Sequence, residues 1–153
     1  MLEIKDEVVV TPEEQLKLLY PHRPWESEPD RADWVDDATG YKCRIVRNPI
    51  TLNLNGYVGV PKGHVLWGEQ NGRHPVDGID VHGGLTYSEE GDDGHWWFGF
   101  DTAHADDFSP GIVTTLLRVS TRKDIMFYNP NDYKTWEFVE DEISCLAEQL
   151  RRA

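Results

Sequence analysis

At 153 residues, with 39% hydrophobic and 11% aromatic content, the chain is long enough and apolar enough to fold, and one domain over 1–153 is expected. Its 28 acidic and 15 basic residues give a formal net charge of −13, which repels phosphate backbones, so direct nucleic-acid binding is not expected. No apolar run reaches membrane-spanning length, and the start MLEIKDEVVV lacks the basic and apolar regions of a secretion signal, so no membrane is expected and the cytoplasm is the expected location.

Thr11-Pro12-Glu13-Glu14 reads as a helix start, with Thr11 as cap, Pro12 in the first turn and Glu14 completing a capping box. Pro21 and Pro24 then end the helix near Tyr20. Residues 21–40 are polar, acidic and Pro-containing, and predict a long loop with a helical turn near Arg31–Asp37. Tyr41–Arg47 predicts a strand stopped by Asn48-Pro49. Thr51–Leu54 predicts a short extended piece and Gly56–Val60 a second strand, turned at Pro61-Lys62-Gly63. His64–Gly68 predicts a short extended segment and Gln70–Gly78 a loop. Val113–Val119 and Asp124–Tyr128 fit either strand or helix.

The last element is the clearest. Trp136, Val139, Ile143, Leu146 and Leu150 recur at three- and four-residue steps, which is one apolar face of an amphipathic helix capped by Asn131 or Asp132. Two cysteines, Cys43 and Cys145, are too few and too far apart for a disulfide framework; they read as reduced thiols, with Cys145 packed in the helix.

The stretch VHGGLTYSEEGDDGHWWFGFD (81–101) predicts two strands joined by the acidic loop Glu89–Gly94. Pairing symmetric about that loop sets His82 opposite Asp101, Gly84 opposite Gly99 and Thr86 opposite Trp97. One face then carries Val81, Leu85, Tyr87, Trp96, Phe98 and Phe100, a core face. The other carries His82, Asp101, Thr86 and Trp97 around glycines, a candidate site.

His82, Asp101 and His104 form the candidate metal set, since two imidazoles and a carboxylate can hold Zn²⁺, Mn²⁺ or Fe²⁺ with positions left for water or substrate. Such a metal activates water or polarises an oxygen. Without one, His82 and Asp101 are a general base with its orienting carboxylate, or a structural hydrogen bond that pins the hairpin. Asp106 and Asp107 either extend a hard-metal site or are solvated. Gly83, Gly84 and Gly99 predict a surface on which something packs flat, a ligand or another part of the chain. Thr86 and Trp97 complete this ligand-binding set, Trp97 by stacking on a planar group. In the preceding segment Lys62 is the candidate for neutralising a ligand's charge, and His64 and Glu69 are the candidate catalytic acid and base. The segment carries no phosphate-loop spacing.

The blocks GYVGVPKGHVLWG (56–68), VHGGLTYS (81–88), WWFGFDTAHADD (96–107) and YKTWEFVEDEISCLAEQL (133–150) resemble a family of small bacteriophage and prophage proteins. The likeness spans about the last two-thirds of the chain and departs at Val65, where the family more often has Pro, and at Thr102, where it often has Cys. It implies a phage-associated setting with the host cytosol as location, and implies no catalytic residue.

The expected fold class is α+β: a mostly antiparallel sheet packed against the C-terminal amphipathic helix and a shorter N-terminal helix. The expected site lies where 56–69, the glycine face and the loop after Asp101 meet. The function expected first is a metal-dependent hydrolase of a nucleotide or other phosphorylated small molecule. The alternatives are a small-molecule-binding protein that sequesters its ligand, and an acidic protein that occupies a basic host partner as a DNA mimic.

Overall fold

A computed structural model describes residues 11–119 and 128–153. Helices α1 (Pro12–Leu19) and α2 (Pro24–Ser27) lead into strands β1 (Arg31–Val35), β2 (Lys42–Arg47) and β3 (Leu54–Val60). Strands β4 (Tyr87–Glu90) and β5 (Trp96–Asp101) follow, then helices α3 (Pro110–Val119) and α4 (Trp136–Arg152). The five strands form one antiparallel sheet in the order β1-β2-β3-β5-β4, and α4 packs on β3 and β2. This is the expected α+β architecture. Among the described residues no helix is long and apolar enough to cross a membrane.

The α4 side of the sheet is the main core. Ile45, Val58, Val60, Phe98 and Phe100 meet Val139, Ile143, Leu146 and Leu150, all essentially excluded from solvent. Each such side chain contributes about 1.5–3 kcal/mol on burial. A second apolar cluster joins Leu16 and Tyr20 to Trp25, Phe108, Val113 and Tyr133. The two clusters are tied by buried Arg47, which donates to Glu28 (3.2 Å), to Asp30 (2.9 Å) and to the Tyr133 hydroxyl (3.0 Å). Glu28 also accepts the backbone N–H of Trp136 (2.8 Å), fixing the start of α4.

Three glycines are vacated for rings across the β3–β5 pairing. Gly56 lies opposite Phe100, Gly59 opposite Trp97, and Gly99 opposite Tyr57. A Cβ at any of them would come within 2.5–2.8 Å of its partner ring. Gly56 serves the core face; the other two serve the face turned away from α4.

Several elements differ from expectation. Arg31–Val35 is a strand rather than a helical turn. It is a short charged edge strand, with Ala32 and Trp34 turned inward, so its composition resembles a loop. His64–Gly68 is a run of turns, held by Trp67 N–H to the His64 carbonyl (3.0 Å) and Glu69 N–H to the Leu66 carbonyl (3.1 Å). Thr51 belongs to a turn that ends as β3 begins at Leu54. Val113–Val119, where the sequence fits strand or helix, takes the helical alternative, within α3. Thr135, not Asn131 or Asp132, caps α4, because its Oγ1 accepts the Phe138 N–H (3.3 Å); the two earlier residues sit in a 3₁₀ turn. Cys145 is exposed, one position off the buried stripe of Ile143, Leu146 and Ala147. The segment Asp124–Tyr128 lies, except for Tyr128, outside the described residues.

Candidate functional site: a histidine pair at the end of β5

The hairpin register is set three residues away from symmetry. Tyr87 lies opposite Gly99 and Glu89 opposite Trp97. Trp96, Phe98 and Phe100 face the core as expected, but Tyr87 lies on the opposite face with Gly99 and Trp97. An odd shift exchanges the faces of one strand relative to the other. Residues 81–86 are not a strand. They form a turn closed by Gly84 N–H to the Val81 carbonyl (2.9 Å), with Gly83 at φ +69° and Gly84 at φ +80°. This turn is strapped to α4: the His82 N–H donates to Glu142 (2.7 Å) and the Asp80 N–H to Gln149 (2.8 Å).

His82 does not meet Asp101. Its Nε2 lies 2.9 and 2.8 Å from the two carboxylate oxygens of Asp107. A carboxylate only accepts, so Nε2 carries a proton, and in the neutral ring the lone pair is then on Nδ1. Among the described residues Nδ1 has no hydrogen-bond partner, and the side chain is 15% exposed. The Asp107 carboxylate is fully buried and also receives Lys134 Nζ (3.1 Å) and the backbone N–H of His104 (3.0 Å). Phe138 packs edge-on against the His82 ring at 5.4 Å. His82 is thereby oriented by a carboxylate that is itself held from three sides.

Asp101 serves His104 instead. Its Oδ1 lies 3.2 Å from His104 Nε2 without forming a hydrogen bond, and it also accepts the Ala103 N–H (3.0 Å). Thr86 Oγ1 donates to Asp101 Oδ2 at 3.3 Å. The His82 and His104 rings stand edge to face, 5.7 Å between centroids. The loop after β5 is anchored by Asn53, which donates to the Thr102 (2.7 Å) and Phe108 (3.0 Å) carbonyls. Buried Thr102 donates to the Leu54 carbonyl (2.9 Å).

His82, His104, Asp101, Gly83 and Thr86 are thus brought together. The expected metal residues do not face one another as a metal set: His82 turns to Asp107 while Asp101 faces His104. Among the described residues no three or more His, Cys, Asp or Glu side chains group to hold a metal ion. The open glycine floor is also corrected. The His104 ring lies over Gly83, where a Cβ would be 2.0 Å from Nε2, and the Tyr57 ring lies over Gly99. Only Gly84 faces open space. What packs flat on these glycines is the chain's own side chains. Trp97 is buried over Gly59, with the Arg44 guanidinium 4.4 Å above its ring.

Lys62, His64 and Glu69 lie elsewhere. Lys62 sits over Trp67 (5.7 Å), whose indole N–H donates to the Gly94 carbonyl (3.0 Å) at the hairpin turn. The Glu69 carbonyl accepts the Trp96 indole N–H (2.9 Å) at the first residue of β5. That end of β5 is separated from Asp101 by about 17 Å of strand. His64 bonds through Nε2 to the Leu150 carbonyl (2.7 Å) and accepts the Leu66 N–H on Nδ1 (3.0 Å). Both ring nitrogens are occupied in closing the end of α4, which leaves none for proton transfer.

From the sequence Asp107 reads as a hard-metal oxygen ligand or a solvated carboxylate, with no sign of its pairing with His82. Its signal is local: Asp107 follows His104 by three residues and caps that turn, which buries its carboxylate beside whatever enters next to it. Comparison with protein-family models, with curated proteins and with solved structures finds no match for this chain.

Proposed function

We propose that this chain is a small hydrolase in which His82 moves the proton, acting on a nucleotide or another small phosphorylated molecule. The observation that carries this is the pinned imidazole: Nε2 fixed at 2.8 Å by a buried carboxylate, with no hydrogen-bond partner for Nδ1 among the described residues. A general base needs its basic nitrogen accessible and its ring held in one orientation, which is the role of the carboxylate behind it. His82 Nδ1 takes the proton of an attacking water, and Asp107 stabilises the imidazolium that results. His104, with its ring 5.7 Å away, is the second acid–base group, placed to protonate a leaving oxygen. Among the described residues no three His, Cys, Asp or Glu side chains are grouped to hold Zn²⁺, Mn²⁺ or Fe²⁺, so no step is assigned to a metal. The four sequence blocks add the proposal that the protein works in a phage-associated setting, in the host cytosol.

The test is a panel of nucleotides, sugar phosphates and bis(p-nitrophenyl) phosphate, assayed with chelator and with added Zn²⁺ or Mn²⁺. Turnover is expected to fall by about 10²-fold or more in His82→Ala and less in Asp107→Asn, with circular dichroism unchanged. Absence of turnover across the panel, or equal rates in His82→Ala, contradicts the proposal. Rates that require metal and vanish in both His82→Ala and His104→Ala would restore the metal-dependent form.

A further inference from the structure

The sheet face turned away from α4 holds a second constellation, independent of the histidine pair. Register places Asp33, Arg44, Tyr57, Gly99 and Tyr87 in one row across the sheet. Asp33 accepts Arg31 Nε on one oxygen (2.9 Å) and Arg44 Nε on the other (2.5 Å). One carboxylate therefore fixes two guanidiniums by their inner nitrogens. Among the described residues the outer Nη atoms of both have no hydrogen-bond partner. Burial pushes the Asp33 carboxyl up, but the hydrogen bonds from Arg31 and Arg44 outweigh it and hold the group below its ordinary value. Two guanidiniums thus share one anion on a chain whose formal charge is −13, and beside them burial and then the neighbouring Glu89 carboxylate raise the Tyr87 hydroxyl above its ordinary value.

A cavity of about 210 Å³ opens beside these nitrogens, lined by Arg31, Arg44, Val46, Tyr57, Tyr87 and Trp97. No carboxylate lines it. Tyr57 and Tyr87 stand edge to face at 5.4 Å and form an aromatic wall. Pockets for drug-sized ligands run to ~300–1,000 Å³, so this one suits a single ring system. Guanidinium forks match the geometry of carboxylate and phosphate oxygens, which a lysine would not.

We propose that this cavity binds a small planar anion, one aromatic ring system bearing a carboxylate or a phosphate. The ring lies against Tyr57, Tyr87 and Trp97, and the acid is held by the outer nitrogens of Arg31 and Arg44. Trp97 keeps its place over Gly59, and Arg44 remains stacked on it.

The full chain is titrated calorimetrically with 4-hydroxybenzoate and with phenylphosphonate, which separate the carboxylate and phosphate-type sources and offer no bond for hydrolysis at His82. Phenol and inorganic phosphate are the controls that carry only a ring or only an acid. At least one ring acid is expected to bind about tenfold or more tightly than either control. Arg31→Gln and Arg44→Gln are each expected to weaken it at least about fivefold, while Lys62→Gln leaves it unchanged. Arg31 is half exposed, so its variant keeps the test open if Arg44→Gln disturbs the sheet. Failure of both ring acids to bind at millimolar concentration, or binding unaltered in the arginine variants, overturns the proposal. Neither result bears on hydrolysis at His82.

Discussion

Gly83→Ala and Gly84→Ala make a matched pair that isolates one contact of the histidine site. Both glycines have positive φ, +69° and +80°, so each alanine meets the left-handed penalty of about 1–2 kcal/mol. Only Gly83 has something above it. A Cβ there would sit 2.0 Å from His104 Nε2 and within 2.6 Å of two ring carbons, whereas a Cβ at Gly84 meets nothing within 4 Å. The imidazole must leave its place beside Asp101, which adds about 1–2 kcal/mol of lost packing and strain. Gly84→Ala is therefore expected to destabilise by about 1–2 kcal/mol and Gly83→Ala by about 2–4. Urea denaturation followed by tryptophan fluorescence measures both. In a His104→Ala background the excess at Gly83 should disappear, giving a coupling of about 1–2 kcal/mol. Equal losses at the two glycines, or an excess that survives His104→Ala, would refute the packing of His104 on Gly83.

Asp107→Ala strips a buried carboxylate from His82, Lys134 and a backbone N–H, and should cost about 3–5 kcal/mol by urea denaturation, against about 1–2 for His82→Ala. Burial pushes the Cys43 thiol up to about 12, so native protein should show one fast thiol toward a disulfide reagent, from exposed Cys145, and two after denaturation. The same shift carries a pH sign. The unfolded chain loses the Cys43 proton first, so stability should fall as pH rises from the ordinary thiol value toward 12. The slope is at most about 1.4 kcal/mol per pH unit and is absent in Cys43→Ala. Gly56→Ala should be worse than Gly99→Ala in the same denaturation assay. At Gly56 the new carbon would be 2.5 Å from Phe100 and 3.0 Å from Ile143, both locked in the core, while at Gly99 the half-buried Tyr57 ring can swing outward.

Much of the fold is written in local chemistry. The Thr11 cap, the apolar stripe of α4 and the runs Tyr41–Arg47 and Gly56–Val60 each carry their own periodicity or capping signal, and those elements form where expected. Strand β1 was illegible because an edge strand needs charge on its outer face, and that charge reads as loop. The hairpin residues were legible, but their register was not. Residues 81–86 leave the sheet to be strapped by Glu142 and Gln149, more than fifty residues later in the chain, and no local signal encodes that contact. The site suffers the same way. His82, Asp101 and His104 do converge, yet the partner of His82 is fixed by how the loop after β5 folds, which depends on Asn53 and Thr102. The glycines were informative about close approach but silent on what approaches.

Asp107 holds the His82 ring through Nε2, and long-range ¹H–¹⁵N NMR of the imidazole nitrogens tests this directly. Exposed His74 supplies a reference within the same chain. Neutral His82 is expected to carry its proton on Nε2 and to shift toward the other tautomer in Asp107→Asn, whose amide can donate. A proton on Nδ1 in the native chain, or a tautomer indifferent to Asp107→Asn, would contradict it.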